Sequence, residues 1–234
     1  MKALDAEALK RRAAQAAFAH VRSGMVLGLG TGSTVAHLLD LLGEGLRCGS
    51  LTDIVGVPTS VQTEQHAGRL GIPLVGLADR PHIDLTIDGA DEVSPELDLI
   101  KGAGGALLRE KMVAQASARL LIIADERKVV ERLGTVSQLP VEVVSWGWQA
   151  HVDFLRAWGA EATLRRGEDG RPVLSDNGQL FLDCRFEGGI DDPAALERAL
   201  SARAGVVETG LFLGLADEAL IASAGGVERM RRDS

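Results

Sequence analysis

Short apolar runs ending near glycine alternate with amphipathic stretches through the first 125 residues, and nothing else in the chain restricts its fold as strongly. The run MVLGLG (25–30) reads as a buried strand, and STVAHLLDLLG (33–43) as a helix stopped by Gly43. LTDIVGVPT, SVQTEQHAGRLG and PLVGL then read as strand, helix and strand. IDLTIDG alternates Ile83, Leu85 and Ile87 before ending at Asp88. A helix over about 105–118 and the apolar strand LLIIAD (120–125) follow. Ahead of all these, Leu4, Leu9, Ala13, Ala16, Ala17 and Val21 mark an amphipathic helix over 4–22. Strands alternating with helices imply an open, mostly parallel sheet covered on both faces, a Rossmann-like α/β arrangement.

From about residue 134 the texture changes. LPVEVV, WGWQAHVDFLRAWG, EATLRR, GQLFLDCRF, DPAALERALSAR and VVETGLF read as β-α-β-β-α-β, with a hairpin turn at Asp176-Asn177-Gly178. That order is the split βαβ, ferredoxin-like pattern. The expected organisation is an α/β catalytic domain, 1–133 and 206–234, carrying a smaller α+β domain, 134–205. ALIASAG returns to the main sheet as a strand, and the tail ERMRRDS is expected to be a frayed, solvated end.

Charge and composition exclude several classes. With 25 basic and 33 acidic residues the net charge is -8, so the chain lacks the basic face of a general nucleic-acid binder. A local group of lysines and amide dipoles can still attract a small phosphorylated molecule. The opening MKALDAEALKRR has acids where a signal peptide needs an apolar core, and no apolar run suits a membrane span. A cytoplasmic protein without membrane contact is expected. Cys48 and Cys184 stand far apart with no CxxC, and both read as buried fillers rather than as a zinc site or disulfide. His20, His37, His66, His82 and His151 share no ligand spacing. Trp146, Trp148 and Trp158 gather on one expected helix of the smaller domain, a placement more typical of core than of a partner surface.

Three motifs carry chemistry. GLGTGSTV (28–35) joins a strand to a helix, and Ser33 or Thr34 can cap that helix while its free amides point outward. Such a start attracts an anion, above all a phosphate. A dinucleotide loop would need glycine at position 33, and a Walker loop would need GK[ST]; neither is present. A small phosphate ester fits better than a nucleotide, while a ligand-free turn is the plainer alternative. DGADEV (88–93) puts three acids at the end of a buried strand, where ligands sit in open α/β sheets. Alone it reads as a solvated, capping turn, and its spacing is not that of a calcium loop. KGAGGALLREK (101–111) places Lys101 after an apolar strand, and Glu110 in the first turns of a helix whose side chains lean back toward its start. Alone, Glu110 reads as a helix-dipole acid or a surface pair. Together with the phosphate loop and two acids, the balance moves to catalysis.

In this order and at these separations the three motifs resemble ribose-5-phosphate isomerase of the A type. The likeness continues through ADERKVV (124–130) and VVETGLF (206–212) and covers nearly the whole chain. It implies an aldose–ketose isomerase interconverting D-ribose 5-phosphate and D-ribulose 5-phosphate, in the non-oxidative pentose phosphate pathway. The enzyme would be a homodimer without metal or organic cofactor. The resemblance assigns the catalytic base to Glu110, the catalytic acids to Asp88 and Asp91, and the lysine to Lys101. Substrate contacts fall on Thr31, Gly32, Ser33, Thr34, Gly89, Ala90, Gly102, Ala103, Gly104 and Lys128, and on Lys10 in the first helix. The family commonly has three glycines after the lysine, whereas Ala103 holds the middle place here. Alanine is tolerable there unless the position needs a positive φ.

The implied chemistry moves a proton between neighbouring carbons through an enediolate, for which a carboxylate base is suited. Glu110 would carry that proton between C2 and C1, and Lys101 would stabilise the developing oxyanion. Asp88 or Asp91 would shuttle hydroxyl protons and assist ring opening. A sugar-phosphate deaminase, a coenzyme A transferase and a non-catalytic sugar-phosphate sensor are the competing readings of the same architecture.

Overall fold

The computed structural model describes residues 5–232; Leu4, assigned to the first helix, lies outside them, as do the last two residues of the tail. The contacts group the chain into two units. Among the described residues the first comprises 5–90, 109–128 and 215–232, and the second 91–108 and 129–214.

The first unit opens with α1 (Ala6–Phe18), which Asp5 caps by accepting the Ala8 amide at 2.7 Å. Leu9, Ala13 and Ala17 form its buried stripe. Next come β1 (Val26–Leu29), α2 (Ser33–Cys48), β2 (Val55–Pro58), α3 (Val61–Arg69) and β3 (Leu85–Asp88). Helix α2 does not stop at Gly43. It runs on to Gly49, which has φ 76 and ends the helix in the left-handed conformation. Gly43 is buried where a Cβ would lie 2.9 Å from the Leu70 Cβ, so that glycine serves a close helix approach and not a termination. PLVGL contributes a single bridge, Leu74 to Gly56, because it only brushes β2 at the sheet edge.

The second unit takes up the chain with β4 (Glu92–Val93) and β5 (Leu99–Ile100). Helix α4 (Leu107–Gln115) spans the division at 108/109, and β6 (Leu120–Asp125) belongs to the first unit. The second unit continues with β7 (Leu139–Val143), α5 (Gln149–Ala157), β8 (Ala160–Leu164), β9 (Leu180–Phe186), α6 (Pro193–Ser201), β10 (Val206–Thr209) and β11 (Leu211–Phe212). β12 (Glu218–Ser223) and β13 (Gly226–Arg231) complete the first unit.

The six-stranded sheet of the first unit has the order β13-β12-β6-β3-β1-β2, and every pair is parallel except β12 with β13. All six residues of β6 are buried, as an apolar strand inside a parallel sheet requires. The expected frayed tail is corrected by β13: Gly226 to Arg231 pair residue by residue with Ser223 to Glu218. Polar side chains did not prevent strand formation there, because an edge strand tolerates charge on its open side.

In the second unit the four-stranded sheet has the order β10-β7-β9-β8, antiparallel throughout, with α5 and α6 in the ferredoxin-like connection. A separate three-stranded sheet, β11-β5-β4, brings 92–100 together with 211–212. The pairings of β10 with β7 and of β11 with β5 explain why 206–214 groups with this unit and not with the α/β unit to which the sequence reading gave it. The core holds Leu139, Val141, Val143, Leu182, Leu196 and Leu200. Cys184 is buried there, but Cys48 is exposed at the last turn of α2 and is no core filler. The tryptophans also depart from expectation: Trp148 packs on this core, Trp158 is half-exposed, and Trp146 is 89% exposed. All three flank α5 instead of lying within it, so no helical face draws them inward. Among the described residues no helix is long and apolar enough to cross a membrane.

Candidate functional site

In the first unit β2 and β3 lie on opposite sides of β1. The strand order therefore reverses between β1 and β3, the switch point beyond whose carboxyl ends open α/β sheets take their ligands. Two of the motifs sit at those two strand ends. Gly30 to Thr34 follow β1, and Asp88 is the last residue of β3.

Gly32, with φ 113, is the N-cap of α2, and no side chain caps this helix. The expectation that Ser33 or Thr34 would cap is corrected, since both lie inside the first turn. The amide dipoles of that turn thus carry no capping oxygen of the chain, and their partial positive charge suits an anion. Asp88 is 1% exposed, and its Oδ1 accepts the Thr31 amide at 3.0 Å and the Gly89 amide at 2.7 Å. A Cβ at Gly30 would overlap the Asp88 carboxylate, so only glycine permits this approach.

Behind the loop lies a group of hydroxyls that the sequence reading missed. Thr31 Oγ1 is 2.8 Å from Thr59 Oγ1 and donates to Ser60 Oγ at 2.9 Å. Thr63 Oγ1 donates to the Gly30 carbonyl at 2.8 Å, and Thr59 Oγ1 to the Leu29 carbonyl at 3.0 Å. Thr59, Ser60 and Thr63 are all buried. They belong to VPTSVQT, a segment that reads in sequence only as the end of one strand and the start of a helix. The hydroxyls in the same segment were the signal.

The remaining assigned residues of this unit are placed as follows. Glu110 lies in the first turn of α4 and is 5% exposed. Lys128 ends a short 3-10 turn after β6, and Lys10 on α1 pairs with Glu7 at 2.6 Å. Asp125, at the carboxyl end of β6, accepts Arg127 Nε at 2.6 Å and Nη2 at 2.8 Å. That guanidinium holds the Asp125 carboxyl below its ordinary range, against the effect of burial. Among the described residues no group of three or more His, Cys, Asp or Glu could hold a metal ion.

The second unit contains Asp91, Lys101 and the glycine loop. Lys101 is 3% exposed, its amide donates to the Gly210 carbonyl at 2.9 Å, and its Nζ lies 5.4 Å from the Phe212 ring centroid. Asp91 Oδ2 accepts the Ala103 amide at 2.9 Å. Among the described residues only Asp53 and Leu97 combine a side chain with a positive φ, whereas Gly102 and Gly105 have φ 105 and 80. Ala103 therefore occupies a position that does not need glycine. Glu92, the third acid of DGADEV, is fully buried and accepts the amides of Gly134 at 2.6 Å, Val136 at 2.7 Å and Ser137. Its role is to anchor the 134–137 turn.

An open α/β sheet with an uncapped helix start and a buried acid at its switch point has the geometry that suits a small anionic ligand. Comparison with known proteins narrows this further. The model of the family described as ribose 5-phosphate isomerase A (phosphoriboisomerase A) matches residues 55–226. A ribose-5-phosphate isomerase A of Chloroflexus aurantiacus is 53% identical over 230 residues, 98% of this chain and 96% of that one. A probable ribose-5-phosphate isomerase 3 of Arabidopsis thaliana, named as chloroplastic, is 47% identical over 98% of this chain and 85% of its own. Among solved structures, a D-ribose-5-phosphate isomerase in complex with phospho-erythronic acid aligns with a TM-score of 0.95 and 40% identity, covering 98% of this chain and all of that one. The chain belongs to the ribose 5-phosphate isomerase A family and is an enzyme of the isomerase class.

Proposed function

We propose that the protein interconverts D-ribose 5-phosphate and D-ribulose 5-phosphate through an enediolate, with Glu110 as the base that moves the proton between C2 and C1. One observation carries this reading: the amide of Thr31, directly before the uncapped start of α2 that suits a phosphate, is hydrogen-bonded to the buried side chain of Asp88. Anion cradle and acid are thereby coupled through one contact. Phosphate bound at residues 31–34 supplies remote binding energy that orients the reacting carbons.

Glu110 takes the proton from C2 of the open-chain aldose as electrons move to O1, and returns it to C1 of the enediolate. Lys101 offsets the negative charge that develops on oxygen. Asp88 and Asp91 move hydroxyl protons and assist ring opening. Gly89, Ala90, Gly102, Ala103, Gly104, Lys128 and Lys10 complete the substrate contacts. The solved relative is described in complex with phospho-erythronic acid, a phosphorylated four-carbon sugar acid, which supports a phosphorylated sugar as substrate. A homodimer in the cytoplasm, in the non-oxidative pentose phosphate pathway and free of metal or organic cofactor, completes the proposal.

Incubation with ribose 5-phosphate in deuterated water tests it. Ribulose 5-phosphate carrying deuterium at C1 is the expected product, because the proton held by Glu110 exchanges with solvent while the enediolate persists. Release of ammonia from an amino sugar phosphate, or acyl exchange with coenzyme A, in place of ketose formation would overturn the assignment.

A further inference from the structure

The loop between β5 and α4 carries Lys101, and it is held by a side chain from a distant part of the second unit. Arg165 follows β8, and its Nη1 donates to the carbonyl of Gly102 at 3.2 Å and to that of Ala103 at 3.1 Å. The other edge of the guanidinium faces Asp183: Nε lies 3.1 and 2.9 Å from the two carboxylate oxygens, and Nη2 donates to Oδ1. Its carbon centre lies 4.6 Å from the Phe181 ring centroid, and Phe181 is fully buried. The Arg165 side chain is 14% exposed and that of Asp183 16%.

This arrangement uses what distinguishes arginine from lysine. A planar fork can satisfy a carboxylate along one edge, stack on an aromatic ring and keep a further donor for another acceptor. An ammonium cannot do all three. The carbonyls reached are those of the two residues directly after Lys101. From the other side, Asp91 Oδ2 accepts the Ala103 amide. The peptide groups on both sides of Ala103 are therefore fixed, one through its N–H by an acid of DGADEV and the other through its C=O by Arg165.

We propose that Arg165, oriented by Asp183 and Phe181, is a positioning residue that holds the Lys101–Gly105 loop in its catalytically competent form. It touches no substrate and acts through the loop. The inference rests on the role given to Lys101 above. Displacing a catalytic group by about 1 Å can cost up to ~100-fold in rate, which sets the scale expected.

The test measures kcat and KM for ribose 5-phosphate in Arg165→Met, Asp183→Asn, Lys101→Met and the double variant Arg165→Met/Lys101→Met, with thermal unfolding of each. Arg165→Met is expected to lower kcat by roughly 10- to 100-fold with KM changed less than about threefold, and Asp183→Asn to do so more weakly. In the Lys101→Met background the Arg165 substitution should add little, since the lysine it positions is gone. A folded Arg165→Met enzyme keeping kcat within about twofold overturns the proposal. An equal loss in both backgrounds also overturns it, because the arginine would then not act through the loop lysine. A Lys101→Met enzyme of full activity refutes the role of Lys101 itself, a separate failure. Should Arg165→Met not fold, Arg165→Lys decides: it keeps the charge but not the fork, so a lowered kcat at unchanged KM supports the proposal and an unchanged kcat overturns it.

Discussion

Asp88 shows how much a single residue's role depends on neighbours that sequence spacing does not display. DGADEV reads as a cluster of three acids, yet the fold separates their work. Asp88 is bonded to the Thr31 amide, Asp91 to the loop after Lys101, and Glu92 to three turn amides. The division was not legible because each partner lies in a distant segment. The departure from the family glycine pattern at Ala103 was legible, and its consequence follows from backbone geometry. A negative φ gives glycine no advantage there, only a larger entropy loss on folding. Ala103→Gly is expected to keep kcat within about twofold and to lose roughly 0.5–1 kcal/mol of stability, measured by steady-state kinetics and urea unfolding. A marked gain in kcat would mean that the alanine constrains the loop.

At the scale of elements, apolar runs located the strands of the six-stranded sheet that pair on both sides, β1, β3, β6 and β12, and they failed at edges and glycines. The edge strand β13 is rich in charge, and PLVGL is apolar yet makes one bridge, because pairing at a sheet edge is decided by neighbours and not by local hydropathy. Helix glycines offer a direct comparison. A Cβ at Gly43 on α2 would press on Leu70, whereas at Gly68 on α3 it would meet nothing within 4 Å. Gly68→Ala should therefore stabilise by about 0.5–1 kcal/mol, the usual gain for alanine in a helix. Gly43→Ala should destabilise by about 1–3 kcal/mol through overpacking. Thermal unfolding of the two variants checks the opposite signs; a stabilising Gly43→Ala would contradict the close approach of α2 to Leu70.

For the molecule as a whole, the α/β plan and the ferredoxin-like order were legible because both rest on element sequence. The grouping of 91–108 and 206–214 with the smaller unit was not, because it depends on β11-β5-β4 pairing across about a hundred residues. Stability of that unit should depend on pH through Glu142. This carboxyl is fully buried on β7, opposite Glu208 on β10, and Ser175 donates to it at 2.6 Å. Burial raises its pKa above the ordinary carboxylate value, as do the charges of Glu208 and Asp176, against the hydrogen bonds from Ser175 and Asn177. The unfolded chain then releases this proton at lower pH than the folded one, so stability falls as pH rises from the ordinary value through the raised one. Glu142→Gln removes that penalty. Its Tm should match the wild type near pH 4 and exceed it near pH 8, by about 2–4 °C for each ~1 kcal/mol relieved. A difference independent of pH would show that Glu142 does not titrate in this way.

The account as a whole depends on proton transfer by Glu110, and the most direct measurement is the turnover of Glu110→Gln beside its affinity for phospho-erythronic acid. Replacing the carboxylate by an amide of the same shape should lower kcat by about 1,000-fold or more while the Kd for phospho-erythronic acid stays within about threefold. A variant that kept a tenth or more of the wild-type kcat would contradict the account.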